Sequence, residues 1–145
     1  MLALTLVGSA SMASAGTLDG IKQCKKILVA MDISAPPYAI LEENGQKSGS
    51  DYETAQLLAK DLGVELEVVP VTGPNRVPFL LYKKADVAIS SFSITESRKT
   101  QVDFSLPYAI NSLVVAGPSK AKVPGKADLA GKTVGVTASI SAMKN

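Results

Sequence analysis

An α/β fold built on a parallel sheet follows from two features of this chain. Apolar runs of strand length alternate with segments of helical spacing, and turn residues punctuate the junctions between them. After a polar lead-in, residues 27–31 (ILVAM) form a continuous apolar run of strand length. Residues 32–49 contain Pro36-Pro37 and Asn44-Gly45, which predict a long loop with room for a hairpin. Ser50 and Glu53 have the spacing of a capping box, and Tyr52, Ala55, Leu58, Ala59 and Leu62 then recur at helical intervals up to a stop at Gly63. Residues 64–71 alternate Val64, Leu66 and Val68 against Glu65 and Glu67, a strand pattern. Asn75 is placed to cap a short helix over 76–84, and residues 87–90 read as a buried strand. Strand, helix, strand, helix, strand at these lengths predicts right-handed βαβ units, with helices on both faces of the sheet. Further strands are expected over 112–116 and 132–136, separated by a Lys/Pro/Gly-rich stretch, with a helix beginning near Ser141. A chain that stops one turn into a helix is expected to be the first portion of a longer one.

Composition removes several classes of function. The chain has 145 residues, a net charge of +2, no His and one Cys. Without His, neither a Ser-His-Asp nor a Cys-His nucleophilic site can be assembled, and the usual zinc sites are excluded with them. The lysines are scattered, so the clustered basic stripe that attracts nucleic acid is missing and no nucleic-acid partner is expected. No metal or other cofactor is implied. Residues 1–15 (MLALTLVGSASMASA) carry no charge and end in Ala13-Ser14-Ala15, the pattern of a secretory leader closed by an A-x-A cleavage signal but lacking its basic start. The run is too short to span a bilayer. Cys24 follows a polar segment, which argues against lipid attachment there, and a lone Cys offers no intrachain disulfide.

In a parallel sheet ligands bind beyond the carboxyl ends of the strands. Two loops satisfy that rule, one after Met31 and one after Ile89. The second holds Ser91, Phe92, Ser93, Thr95 and Arg98, and only two of the 15 basic residues in the chain are arginines. The serines add hydroxyls to a loop with free backbone N–H groups. Thr95 would cap a helix whose positive end faces the loop, and Arg98 would bring a planar fork that matches a carboxylate. A small carboxylate there would gain two charge-assisted hydrogen bonds of about 1.5–3 kcal/mol each. The alternative is a plain helix cap, with Arg98 paired to Glu96 or Asp103 on the surface. In the first loop, Pro36, Pro37 and Tyr38 would form one wall of a pocket with Asp32 near its floor. Alternatively they make a structural turn with Tyr38 packed into the core.

Taken together, the segments resemble family 3 of the bacterial extracellular solute-binding proteins, the polar amino-acid binders of ABC transporters. The resemblance runs over residues 17–145. It includes the ILVAMD strand, Pro36-Pro37-Tyr38, Gly49-Ser50-Asp51, Asn75-Arg76-Val77-Pro78 and Lys84-Ala85-Asp86. Its most specific part is Ser93-Ile94-Thr95-Glu96-Ser97-Arg98 followed by Phe104-Ser105-Leu106-Pro107-Tyr108. What this implies is a periplasmic-binding-protein-like clamshell of type II, with residues 16–110 as a nearly complete first lobe and 111–145 as the start of a truncated second.

By the same resemblance Arg98 would grip the α-carboxylate of a free amino acid. Ser91 and Ser93 would serve its carboxylate and ammonium ends, and Tyr38 or Phe92 would border the side-chain pocket. Asp32 matches a position that can face a cationic side chain, and Ser141 would contribute a hydroxyl from the second lobe. Ser139-Ile140-Ser141 lacks the glycine of the family pattern there. The expected protein is a monomeric periplasmic binder that delivers its ligand to a membrane permease, and is not an enzyme. Two alternatives use the same fold: a dehydratase of the cyclohexadienyl or arogenate type, and the ligand-sensing domain of a receptor.

Overall fold

Where composition predicts a polar lead-in, the chain forms a helix, α1 (Thr17–Cys24), which buries Ile21. The structure, a computed structural model, describes residues 17–112, 114–118 and 123–135. Strand β1 (Lys26–Met31) follows α1. Three short strands come next, β2 (Ser34–Ala35), β3 (Ala39–Leu41) and β4 (Lys47–Ser48), and then helix α2 (Ser50–Leu62). Strand β5 (Glu65–Pro70) leads through a 3-10 turn, Gly73–Asn75, into helix α3 (Arg76–Leu81). Strand β6 (Val87–Ala88), a single helical turn α4 (Glu96–Lys99) and a 3-10 turn at Lys126–Leu129 complete the described elements.

Strand β1 lies at the centre of a sheet ordered β5-β1-β6, and both of its neighbours run parallel to it. Alternate β1 side chains therefore face opposite layers. Ile27, Val29 and Met31 pack with Ile21 of α1 and with Ala55 and Ala59 of α2. Ala30 packs on the other face with Val71 and Ala85, beside Phe79 and Leu80 of α3. Helices cover both faces, as the alternation of elements predicts. Asp86 fixes the register of β6: its Oδ2 accepts the Leu28 N–H at 2.8 Å while its own N–H donates to the Leu28 carbonyl at 2.8 Å.

The loop of 32–49 is a small antiparallel sheet in the order β2-β3-β4, so the hairpin potential of Asn44-Gly45 is realised. Its last turn delivers the chain into α2 by a route the capping box does not describe. Gly49, at φ +107, is the N-cap, and Ser50 is already the first helical residue without a side-chain cap bond. The physical reason is that backbone carbonyls meet the first-turn donors. Asp51 N–H donates to Tyr38 O at 2.8 Å and Glu53 N–H to Gly49 O at 2.9 Å. The stop at Gly63 is as predicted, in the left-handed conformation at φ +67.

Other local expectations are corrected as well. Asn75 makes no cap bond, and α3 ends at Leu81, three residues short of the expected Lys84, with Lys83 in a positive-φ conformation. The strands expected over 112–116 and 132–136 do not form at the described positions, where Val114, Val115 and Val134 are exposed. A strand needs a partner for its backbone donors and acceptors, and among the described residues none lies beside these segments. The helix expected near Ser141 lies outside the described residues.

A Cβ at Gly49 would collide with the carbonyl of Tyr38, whereas one at Gly45 (φ +81) would meet nothing within 4 Å. Gly49→Ala is therefore expected to lower stability by about 2–4 kcal/mol, combining backbone strain with steric conflict. Gly45→Ala should cost only about 1 kcal/mol, from strain alone. Urea denaturation of both variants checks the difference, and equal losses would show that the close approach at Gly49 does not matter.

Candidate functional site

Parallel pairing brings the carboxyl ends of β5, β1 and β6 to one edge of the sheet, and the chemistry-bearing residues collect there. Asp32 follows β1, Arg76 opens α3 after β5, and Ser90 to Ser93 follow β6. The buried Ser90 ties two of these loops together: its Oγ accepts the Asp32 N–H at 2.8 Å.

Asp51, in the first turn of α2, is only 4% exposed, and its Oδ2 accepts the Ser91 N–H at 2.6 Å. Ser91 has φ +45, a left-handed conformation that a serine adopts only under constraint. The Asp51 carboxylate supplies that constraint. Burial pushes the Asp51 pKa above the ordinary carboxylate value, opposed by the Ser91 N–H and the charge of Arg76.

Arg98 lies in α4, which is one turn long, so the helix gives Arg98 a position but little dipole. Thr95 is the N-cap by position, yet its hydroxyl lies 3.2 Å from Ser97 Oγ and caps no backbone N–H. The guanidinium of Arg98 stacks over the Phe92 ring at 4.6 Å, and Nη1 donates to the Ser93 carbonyl at 2.8 Å. Phe104 packs beside Phe92, with ring centroids 5.4 Å apart. The surface alternative, a pair with Glu96 or Asp103, does not form. Glu96 binds Lys99 at 2.8 Å, and Arg98 has no ion pair among the described residues. Burial and the like charge of Arg76 both lower the Arg98 pKa from its usual value, so the two guanidiniums share one electrostatic neighbourhood.

Tyr38 is neither fully in the core nor free. Its hydroxyl donates to Asn111 Oδ1 at 2.8 Å, and Asn111 Nδ2 donates to Ser91 Oγ at 3.0 Å. Tyr38, Ser91, Phe92 and Ser93 line a cavity of about 720 Å³, together with Ser50, Asp51 and residues 103–111. Arg98 and Asp32 are not in its wall. The cavity extends along β6, past Asp86 and Val87, so it is wider than the polar cluster at the strand tips. Geometry therefore puts the candidate contact at the end of the cavity near Ser91 to Ser93. Tyr108 also borders it, with its pKa raised by burial and by the negative charge of Asp51.

Asp32 is engaged on both oxygens. Oδ1 accepts Ser34 N–H at 3.2 Å and Ser34 Oγ at 2.8 Å, while Oδ2 meets Arg76 Nη2 at 3.3 Å. Ser141 lies outside the described residues. Of the expected residues, Ser91, Phe92, Ser93, Arg98 and Tyr38 are linked by direct contacts or through Asn111, and Asp32 joins them only through Ser90 and the backbone. Sequence reasoning did not single out Asp51, Arg76 or Asn111. The scarcity of arginine, which drew attention to Arg98, applied equally to Arg76. An Asp one residue into an amphipathic helix gave no comparable signal.

A parallel α/β lobe with a polar, Arg-bearing cluster beyond its strand tips is the architecture of a small-molecule binder. The profile of the bacterial extracellular solute-binding proteins, family 3, matches residues 27–142, and the chain belongs to that family. It is 33% identical over 141 residues to the L-cystine-binding protein TcyJ of Escherichia coli (strain K12), covering 94% of this chain and 53% of that protein. It is 37% identical over 106 residues to the cyclohexadienyl dehydratase of Pseudomonas aeruginosa, covering 72% of this chain and 40% of the enzyme. Among solved structures, the arginine-bound form of domain 1 from TmArgBP superposes with a TM-score of 0.59 at 44% identity. That match covers 61% of this chain and 71% of the domain. The fold is thus that of the type II periplasmic amino-acid-binding proteins. The chain spans about half the length of the curated relatives it matches.

Removing Asp51 tests its hold on Ser91. Asp51→Ala should cost about 1–3 kcal/mol by stranding the Ser91 N–H, and Asp51→Asn, which keeps an acceptor, should cost less. Because the native pKa is raised, the folded state holds this proton more tightly than the unfolded chain does. The stability advantage of the wild type over Asp51→Asn should therefore be greatest below the ordinary aspartate pKa, and shrink as pH rises through the native value. Denaturation midpoints across acidic to neutral pH check this, and an advantage that grows with pH would reverse the assignment.

Proposed function

We propose that this chain is the ligand-gripping first part of a periplasmic solute-binding protein, one that captures a free amino acid and presents it to an ABC importer. In this reading residues 1–15 are the export leader, 16–110 the first lobe and 111–145 the beginning of a second. Closure of two lobes over the ligand signals to a membrane permease, and no bond is made or broken. The binder acts as a monomer. Arg98 takes the α-carboxylate, Ser91 and Ser93 serve the carboxylate and ammonium ends, and Tyr38 and Phe92 border the side chain, with Ser141 contributing from the second lobe.

The observation that carries the reading is the state of Arg98. It is half-buried on the Phe92 ring and lacks an ion pair among the described residues, while the second arginine repels it. An incoming carboxylate relieves that repulsion and uses the remaining donors of the fork. A relative supports testing the chain on its own, because domain 1 of TmArgBP is described in an arginine-bound form.

A second reading has one observation behind it. Asp51 lines the cavity with a raised pKa, as a general acid would, and a dehydratase is among the relatives. Its Oδ2 is nevertheless committed to the Ser91 N–H, and the residue is nearly inaccessible. A general acid must reach its substrate, so a structural role fits Asp51 better. Incubation with a cyclohexadienyl acid is expected to give no product. Turnover abolished by Asp51→Asn would select the enzyme instead.

A thermal-shift screen of the free amino acids on the purified chain should reveal one or a few stabilising ligands. At one hundred times its dissociation constant a ligand adds about 2.7 kcal/mol of stability. With the ligand so found, Arg98→Ala should weaken binding by about two to four decades, roughly 3–5 kcal/mol. Calorimetry showing less than a tenfold loss would remove Arg98 from the site.

A further inference from the structure

We propose that Arg76 acts as a specificity-determining residue: by occupying the Asp32 carboxylate it closes the site to cationic amino acids and favours an uncharged ligand side chain. The inference rests on the amino-acid-binding reading above and sharpens it. Asp32 stands at the tip of the central strand outside the cavity wall, with its backbone tied to Ser90, the residue before the cavity-lining Ser91, so it lies beside the sheet edge at which parallel sheets take their ligands. A free aspartate there would invite an ammonium or guanidinium. This aspartate is not free.

Both of its oxygens are already taken, Oδ1 by Ser34 and Oδ2 by Arg76. The ion pair is largely shielded from water, with side-chain exposures of 13% for Arg76 and 16% for Asp32. Screening by solvent is weak in such a place, so the pair persists and a third charge feels it strongly. The Arg76 Nε is buried without a hydrogen-bond partner, which leaves Asp32 as the group that holds this guanidinium among the described residues. The charge of Arg76 also reaches beyond its partner, acting on both Asp51 and Arg98. A lysine or arginine side chain brought to Asp32 would therefore have to displace a built-in cation and then lie beside it. An uncharged side chain meets a neutralised pair and no such conflict.

The test is calorimetric titration of the wild-type chain with arginine, lysine, glutamine, methionine and cystine, repeated on Arg76→Gln and Arg76→Lys. The expected tightest wild-type ligand is uncharged, with arginine and lysine at least tenfold weaker. Arg76→Gln should raise the affinity for arginine relative to that uncharged ligand at least tenfold, and Arg76→Lys, which keeps the charge, should preserve the wild-type order. Arginine or lysine as the tightest wild-type ligand overturns the proposal, and so does an unchanged ratio in a folded Arg76→Gln. If circular dichroism shows that variant unfolded, the wild-type order and Arg76→Lys decide. Absence of binding by every amino acid in the panel overturns the amino-acid reading itself and this inference with it, whereas tight binding of a cation overturns only the inference.

Discussion

The hydrogen bond from the Ser91 N–H to the buried Asp51 carboxylate sets the geometry on which the rest of the site depends. It joins the start of α2 to the loop after β6 and holds Ser91 in a left-handed conformation. From that point the chain turns so that Phe92 and Ser93 leave the sheet edge in the direction of Arg98. The Asp51 backbone takes part as well, through its N–H bond to the Tyr38 carbonyl. One residue thus connects the first loop, the second helix and the third strand tip. The energetic cost of burying a carboxylate, visible in its raised pKa, is offset by the order it imposes on three segments.

Electrostatics at the edge divides between the two arginines. Arg76 is spent internally on Asp32, whereas Arg98 is supported by an aromatic face and a backbone carbonyl and keeps its charge without an anionic partner among the described residues. Guanidinium suits both duties, since it stays charged when partly buried and its fork accepts planar partners. The arrangement leaves one cation committed and one available. Among the relatives one is named for binding L-cystine and another is described in an arginine-bound form, so one family serves more than one ligand chemistry.

Much of the scaffold was legible in the chain because its signals are local. The ILVAM run became the central strand, Gly63 stopped α2 by its left-handed conformation, and Asn44-Gly45 turned within an antiparallel sheet. Local signals also misled. The S-x-x-E spacing at Ser50 looked like a cap, but the helix is capped one residue earlier: the Gly49 carbonyl takes the Glu53 N–H, and the Tyr38 carbonyl, brought close by the tertiary fold, takes that of Asp51. The apolar pattern at 112–116 suggested a strand, but among the described residues no ladder lies beside it, and Val114 and Val115 are exposed. Helix α1 escaped notice because a single buried residue, Ile21, anchors it.

By itself the sequence determined the alternation of strands and helices, and it marked the carboxyl edge as the expected place for a ligand, with Arg98 as the most telling side chain there. Periodicity, turn chemistry and the scarcity of arginine are properties of the linear chain, so they survive without coordinates. Only the tertiary structure decided who partners whom. Arg76 meets Asp32 across 44 positions, Asp51 meets Ser91 across 40, and Tyr38 reaches Asn111 across 73. Charges so far apart in the chain acquire their partners when parallel pairing brings three strand tips to one edge, and that pairing determines which of them stay available to a ligand.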